Sequence, residues 1–247
     1  MTTPAPESVK PKLRAVLLAA GRGRRLGSDF PKVLLEVEGR TLLERHVINL
    51  RESGVSALTV VVGFQKEKIA AELERVKPPL DVELVENADY TRGSILSLHV
   101  AADRLEAGGL WMDGDVIYPA SLLRRLVGSP HENCLVIDGR SEETGEEMMV
   151  GTRGGRVLKI ARRVGRGWDF AGENVGFAKV GPAGAAAVRR VLAEEVTAGR
   201  VDQEYEAAMD RAFHEVHFGF ERVDDLPWTE IDFQEDVEKA KKIAREI

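Results

Sequence analysis

Residues 17–32 (LLAAGRGRRLGSDFPK) gather side chains and backbone suited to holding a polyphosphate. Gly21, Gly23 and Gly27 let the main chain approach a ligand closely, and successive N–H groups in such a loop form an anion-binding concavity. Arg22, Arg24, Arg25 and Lys32 add positive charge beside it. A P-loop string, G-x-x-x-x-G-K-[ST], is absent, and Leu26 stands where a dinucleotide-binding G-x-G-x-x-G would need its third glycine. The competing reading is a glycine-rich surface turn with solvated charges.

Carboxylates suited to a hard cation lie far from that loop. Asp113-Gly114-Asp115 follows the apolar piece 110–112, placing Asp115 at the carboxyl edge of a strand, where open α/β sheets bind ligands. Asp113 and Asp115 also read as turn residues flanking Gly114. Asp232 precedes the last helical pattern and, with Glu235 three residues on, also reads as a helix N-cap. Trp168-Asp169 pairs an aromatic face with a carboxylate, which suits a quaternary ammonium, although a lone loop Trp also serves as a packing anchor. Arg162, Arg163 and Arg166 are either phosphate contacts or a solvated charged loop. His46, His214 and His217 read as structural, and Cys134, inside an apolar run, as a buried small hydrophobe.

The elements that must position these groups follow from periodicity. Residues 13–19, 57–62, 82–85, 110–112 and 135–137 are short apolar strands, most of them buried on both faces. Helical patterns alternate with them. One is capped at Thr41 and carries Leu43, Val47 and Leu50; others cover 66–75, 94–105 and the region of Leu122, Leu123 and Leu126. This alternation predicts an α/β fold, a Rossmann-like, mostly parallel sheet flanked by helices. From about 139 to 180 glycines and charges become dense, predicting a smaller antiparallel, loop-rich, substrate-side insertion. Helices return at 183–196, near 204–212 and at the end, so 13–247 reads as one domain after a flexible leader at 1–12.

The 247 residues are 43% apolar and 31% charged, a mixture that suits a globular chain rather than a disordered one. The net charge of −6 offers no global basic field, which argues against nucleic acid or an anionic membrane as partner. A single cysteine excludes an internal disulfide, and no apolar stretch approaches a membrane span, so the expected location is cytoplasmic.

Taken together, Ala19-Ala20-Gly21-Arg22-Gly23-Arg24-Arg25-Leu26-Gly27, then Pro31-Lys32, then residues 35–43 (LEVEGRTLL), resemble the NTP-transferase family. That family includes sugar-1-phosphate nucleotidylyltransferases and cytidylyltransferases. Residues 87–98 (NADYTRGSILSL), 111–115 (WMDGD) and 226–233 (LPWTEIDF) are most similar to the phosphocholine cytidylyltransferase branch. The resemblance implies that Arg25 contacts a triphosphate and that Lys32 sits at its α-phosphate. It implies nucleotide contacts from Ala19, Ala20, Gly21 and Gly23, with Gly93 and Ser94 closing over the base; Arg24 is a further cation of the loop. It implies Mg2+ on Asp115 and Asp232, and Glu173 and Asn174 match the place where sugar-handling relatives hold the acceptor.

The expected reaction is therefore Mg2+-dependent transfer of CMP from CTP to a small, phosphocholine-like phospho-alcohol, by a monomer or homodimer. Inositol phosphate or an aminoalkylphosphonate are alternative acceptors, and a sugar-1-phosphate nucleotidylyltransferase using UTP or another NTP is the alternative enzyme. A regulatory module without catalysis predicts a missing lysine or metal carboxylate, yet Arg25, Lys32, Asp115 and Asp232 are all present. A nicotinamide-dependent dehydrogenase fails on the missing glycine and on Glu44, which falls inside a helix rather than at a ribose anchor.

Overall fold

The computed structural model describes residues 13–27 and 29–247; the expected leader at 1–12 lies outside the described residues. Four parallel strands form the heart of the sheet. They are β1 (Arg14–Leu18), β4 (Ala57–Val62), β5 (Asp81–Glu86) and β6 (Gly109–Asp113), after the small ribbon β2 (Glu36–Val37) and β3 (Arg40–Thr41). Every residue of β4 is buried, as its unbroken apolar run predicts for a central parallel strand. The chain steps from β1 to β4 and β5 on one side, then returns to place β6 on the other side of β1. The β1–β6 boundary is thus a topological switch point, and the loops leaving those strands flank a crevice.

Beyond β6 the sheet turns antiparallel. After the two-residue β7 (Val116–Ile117) come β8 (Cys134–Asp138), β9 (Met149–Arg153), β10 (Arg156–Ala161) and β11 (Phe170–Val180). The long β11 pairs with β6, β8 and β9, and β12 (Gly219–Arg222) runs parallel to β8. The glycine- and charge-rich stretch expected as an insertion contributes β9, β10 and β11 to the same nine-stranded sheet, on the side of β6 away from β1.

Helices cover both faces. Helix α1 (Leu42–Glu52) starts as its capping pattern predicts, with Thr41 Oγ1 accepting from the Glu44 N–H at 3.1 Å. With α2 (Lys66–Val76) and α4 (Ala120–Gly128) it packs Leu43, Leu50, Ile69 and Leu123 against one face. Helices α3 (Ser94–Ala101), α5 (Pro182–Thr197) and α6 (Glu206–Ala212) pack Leu98, Val191 and Met209 against the other. The closing helix α7 (Gln234–Glu246) buries Val237, Ala240 and Ile243 against Val37, Leu42, Ile117 and Ile231. That third cluster fixes the segment carrying Asp232. Cys134 is fully buried, as its apolar neighbours predicted.

Candidate functional site

The loop after β1 stays close to the sheet. Ala19 and Ala20 are buried; the Ala19 N–H donates to Val61 O at 2.9 Å, and Ala20 O accepts from the Phe64 N–H at 3.1 Å. Gly23 and Gly27 take left-handed backbone (φ 67° and 64°) on either side of a single 3-10 turn, Arg24–Leu26. The Arg24 side chain lies outside what the structure describes. A second 3-10 turn, Lys32–Leu34, begins after Pro31 and aims Lys32 into the crevice.

The acidic partners arrive by backbone pairing. Gly114 donates its N–H to Leu18 O at 3.0 Å, and a Cβ there would stand 2.7 Å from that oxygen, so only glycine allows the turn after β6 to close onto the end of β1. Strand β13 (Thr229–Glu230) pairs antiparallel with β7, Glu230 opposite Val116, and the Ile231 N–H donates to Asp115 O at 3.0 Å. This short ribbon holds Asp115, Glu230 and Asp232 together.

At the centre, the Lys32 ammonium donates to Asp115 Oδ2 at 2.8 Å and to Asp232 Oδ1 at 2.5 Å. Arg25 reaches Asp232 Oδ2 at 3.0 Å, and its guanidinium lies 5.4 Å from the centre of the Phe233 ring. Carboxylate oxygens of Asp115, Glu230 and Asp232 lie within 4.8 Å of one another. Burial disfavours the Lys32 charge, but Asp115, Asp232 and Glu230 outweigh it and raise its pKa, keeping it cationic. Asp115 Oδ1 is buried without a hydrogen-bond partner among the described residues, a donor left over for a hard cation.

Asp232 does not cap α7. The capping carboxylate is Asp236, whose Oδ2 accepts from the N–H groups of Asp232 (2.9 Å) and Phe233 (2.7 Å), leaving the Asp232 side chain to Lys32 and Arg25. Asp113 is not part of the Asp115, Glu230 and Asp232 cluster; it accepts from the Tyr205 hydroxyl at 2.9 Å. Burial, then the charges of Asp115 and Glu206, push the Asp113 carboxyl well above the usual range. Burial likewise lifts Glu206 to about 7. Behind the Asp115 turn, His46 is fully buried against Tyr118, and burial lowers it to about 4.

Two cavities adjoin the cluster. One of about 690 Å³ is bounded by Trp228, Glu230, Asp232, Glu173 and further acidic side chains. The other, about 230 Å³, is lined by Arg25, Arg162, Asn174, Glu206, Glu230 and Asp232. Glu173 and Asn174, neighbours on β11, face different cavities, as alternate strand residues do.

Other expected residues make architectural contacts. A Cβ on Gly93 would lie 2.0 Å from Gln203 O, and Ser94 Oγ accepts from the Tyr205 N–H at 3.0 Å, so both residues dock the connector between α5 and α6. Trp168 and Asp169 line neither cavity. Trp168 covers Gly151 of β9 and donates its Nε1–H to Val164 O at 3.1 Å, while Asp169 accepts from the Gly154 N–H at 2.7 Å. Both brace the β9–β10 hairpin, the packing alternative for a loop tryptophan. Glu230 was missed by the sequence reading, although in 228–232 (WTEID) it shares strand parity with Asp232.

Residues 15–205 match the MobA-like NTP transferase domain. The bifunctional IPC transferase and DIPP synthase of Thermococcus kodakarensis is 30% identical over 233 residues, 93% of this chain and 50% of that protein. The chain thus spans about half the length of this relative, and 35% of the like-named protein of Rubrobacter xylanophilus. The 2-aminoethylphosphonate cytidylyltransferase of Lancefieldella rimae is 29% identical over 156 residues, 61% of each chain. Among solved structures, the CTP:phosphocholine cytidylyltransferase of Streptococcus pneumoniae superposes with a TM-score of 0.79 at 23% identity, covering 94% of this chain and 99% of the other. The inositol-1-phosphate CTP transferase of T. maritima gives 0.72 at 22% identity, covering 96% and 98%. The chain belongs to the MobA-like NTP transferase domain family, with the α/β nucleotidyltransferase fold. Among the described residues no helix is long and apolar enough to cross a membrane.

Proposed function

We propose that this member of the family transfers CMP from CTP to a small phosphorylated alcohol or phosphonate, releasing pyrophosphate, with Mg2+ as cofactor. The observation that carries this reading is the contact of Lys32 with both Asp115 and Asp232, with Arg25 on the same Asp232. Two anions must react here, and a phosphate monoester, largely dianionic at pH 7, needs no strong general base. It needs positioning and charge stabilisation instead. An acceptor oxygen attacks the α-phosphorus, a new P–O bond forms, and the bond to the β-phosphate oxygen breaks with its electrons leaving on pyrophosphate.

In this reading, Ala19, Ala20, Gly21 and Gly23 present backbone to the nucleotide, and Arg25 binds the triphosphate. Lys32 supplies a permanent positive charge at the α-phosphate, because the carboxylates around it hold its proton. Gly93 and Ser94 close over the base, while also docking the 201–205 connector. Asp115 and Asp232, joined by Glu230, would hold Mg2+: their donors are all oxygens and one is orphaned. Bound there, the ion would supply Lewis-acid stabilisation of phosphate charge. Glu173 and Asn174 stand at the acceptor side. The preference for cytidine and for an alcohol or phosphonate rests on the names of the relatives, which specify CTP or cytidylyl transfer for the phosphonate, phosphocholine and inositol-phosphate proteins.

The test is pyrophosphate release from CTP, UTP, GTP and ATP, each paired with phosphocholine, inositol-1-phosphate, 2-aminoethylphosphonate and sugar-1-phosphates, with and without Mg2+. The expected outcome is Mg2+-dependent release with CTP and one alcohol phosphate or phosphonate. Release only with a sugar-1-phosphate would overturn the acceptor class, and release only with another nucleotide would overturn the base.

A further inference from the structure

We propose that Arg162 is the residue that grips the acceptor's phosphate, a role resting on the nucleotidyl-transfer reading above. The inner cavity beside Lys32 has six carboxylates in its lining: Asp113, Glu146, Glu204, Glu206, Glu230 and Asp232. A dianionic acceptor entering such a space is repelled unless cations meet it. The cavity lining holds two cationic side chains, Arg25 and Arg162. Arg25 pairs with Asp232 and, in the reading above, is taken up by the triphosphate. Arg162 directly follows β10 and, with Met148, Glu204 and Glu206, lines both this cavity and a larger one of about 770 Å³.

Its present partners are exchangeable. Arg162 pairs with Glu204 at 2.5 Å and donates to Glu146 O, and its side chain remains 40% exposed. A guanidinium fork suits two phosphate oxygens, so a phosphate arriving in the cavity displaces Glu204 with no loss of charge pairing for the arginine. A second donor points to the same place. Asn174 lines this cavity, and its side-chain oxygen is buried with no hydrogen-bond partner among the described residues. Amide oxygen and nitrogen are interchangeable in placement, so a turned Asn174 amide offers an N–H to the same phosphate. Arg162 and Asn174 thus bind the nucleophile, while Arg25 and Lys32 bind the nucleotide.

The experiment measures steady-state kinetics of Arg162→Ala and Arg162→Lys with Mg2+, varying CTP and acceptor separately, alongside CTP affinity from equilibrium binding. Arg162→Ala is expected to raise the acceptor KM by about tenfold or more with CTP affinity held within about twofold, and Arg162→Lys to restore part of the loss. An unchanged acceptor KM in Arg162→Ala, or an equal loss of CTP affinity, overturns the assignment. Wild-type protein inactive with every nucleotide and acceptor would defeat the nucleotidyl-transfer reading itself, a result separate from either outcome for Arg162.

Discussion

Lys32 and Asp232, 200 positions apart in sequence, meet at 2.5 Å between ammonium and carboxylate. The same ammonium touches Asp115 at 2.8 Å. One lysine therefore balances a cluster that would otherwise repel itself, and it does so beside the backbone loop most suited to phosphate. Its position follows from a local device, the 3-10 turn after Pro31, and a long-range one, the β7–β13 ribbon.

Replacing that lysine separates binding from turnover. Lys32→Ala is expected to lower turnover by roughly a hundredfold or more, in the range for losing a preorganised charge at the reacting centre, with CTP affinity changed far less. It should also lower the melting temperature of the metal-free protein, because three carboxylates lose their counter-charge. Added Mg2+ should recover more of that loss in the variant than it adds to wild type, a contrast that thermal unfolding with and without the ion measures.

The two aspartates around α7 have separable duties. Asp232→Asn should raise the Mg2+ concentration for half-maximal activity by about tenfold or more, since a neutral amide is a poorer partner for a hard ion. Asp236→Ala removes the cap from the Asp232 and Phe233 N–H groups. It should cost about 1 kcal/mol of stability, a fall of roughly 2–4 °C in Tm, and leave most of the activity. Equal loss of metal response in both variants would contradict this division.

His46 gives the fold an acid-sensitive component. Burial lowers its pKa from an unperturbed 6.5 to about 4, so between those values the unfolded chain binds a proton that the folded chain refuses. The associated stability is complete above about pH 6.5 and is lost as pH falls through that window toward 4. Its size is about 3 kcal/mol at most, and in His46→Gln the slope of unfolding free energy between pH 6.5 and 4 should be shallower by one proton. Denaturant titrations across pH read this out; identical slopes would place the sensitivity elsewhere.

Gly93 is predicted to be structural before it is a nucleotide contact. A Cβ there collides with the Gln203 backbone at 2.0 to 2.7 Å, so Gly93→Ala must push the 201–205 connector away. The expected cost is about 2 kcal/mol or more, with faster amide exchange in that connector. Loss of nucleotide affinity without any loss of stability would reverse the assignment.

Much of this architecture was legible in the sequence because its signals are local. The apolar run 57–62 became a fully buried strand and Thr41 became the cap of α1; the Arg25, Lys32, Asp115 and Asp232 constellation, which came together, was implied by the family resemblance rather than by local pattern. What escaped was set by pairing between distant segments. The β8–β12 pair and the reach of β11 across three neighbours leave no periodic trace in either partner. Glu230 was hidden for the same reason, since its value depends on lying opposite Val116 beside Asp115. Trp168 was ambiguous because loop chemistry alone does not say whether an aromatic faces a cavity or a glycine of its own hairpin.

The most direct test of the central claim follows the label from CTP. Wild-type protein is incubated with Mg2+ and the acceptor selected by the substrate matrix, using CTP labelled at the α-phosphorus or, in parallel, at the γ-phosphorus. Nucleotidyl transfer predicts that the α-label appears in a cytidine diphospho-product, in step with pyrophosphate carrying the γ-label, and that Lys32→Ala suppresses both. Appearance of the γ-label in the acceptor, or as free phosphate with no α-labelled product, would mean that the Lys32–Asp115–Asp232 site breaks a different bond.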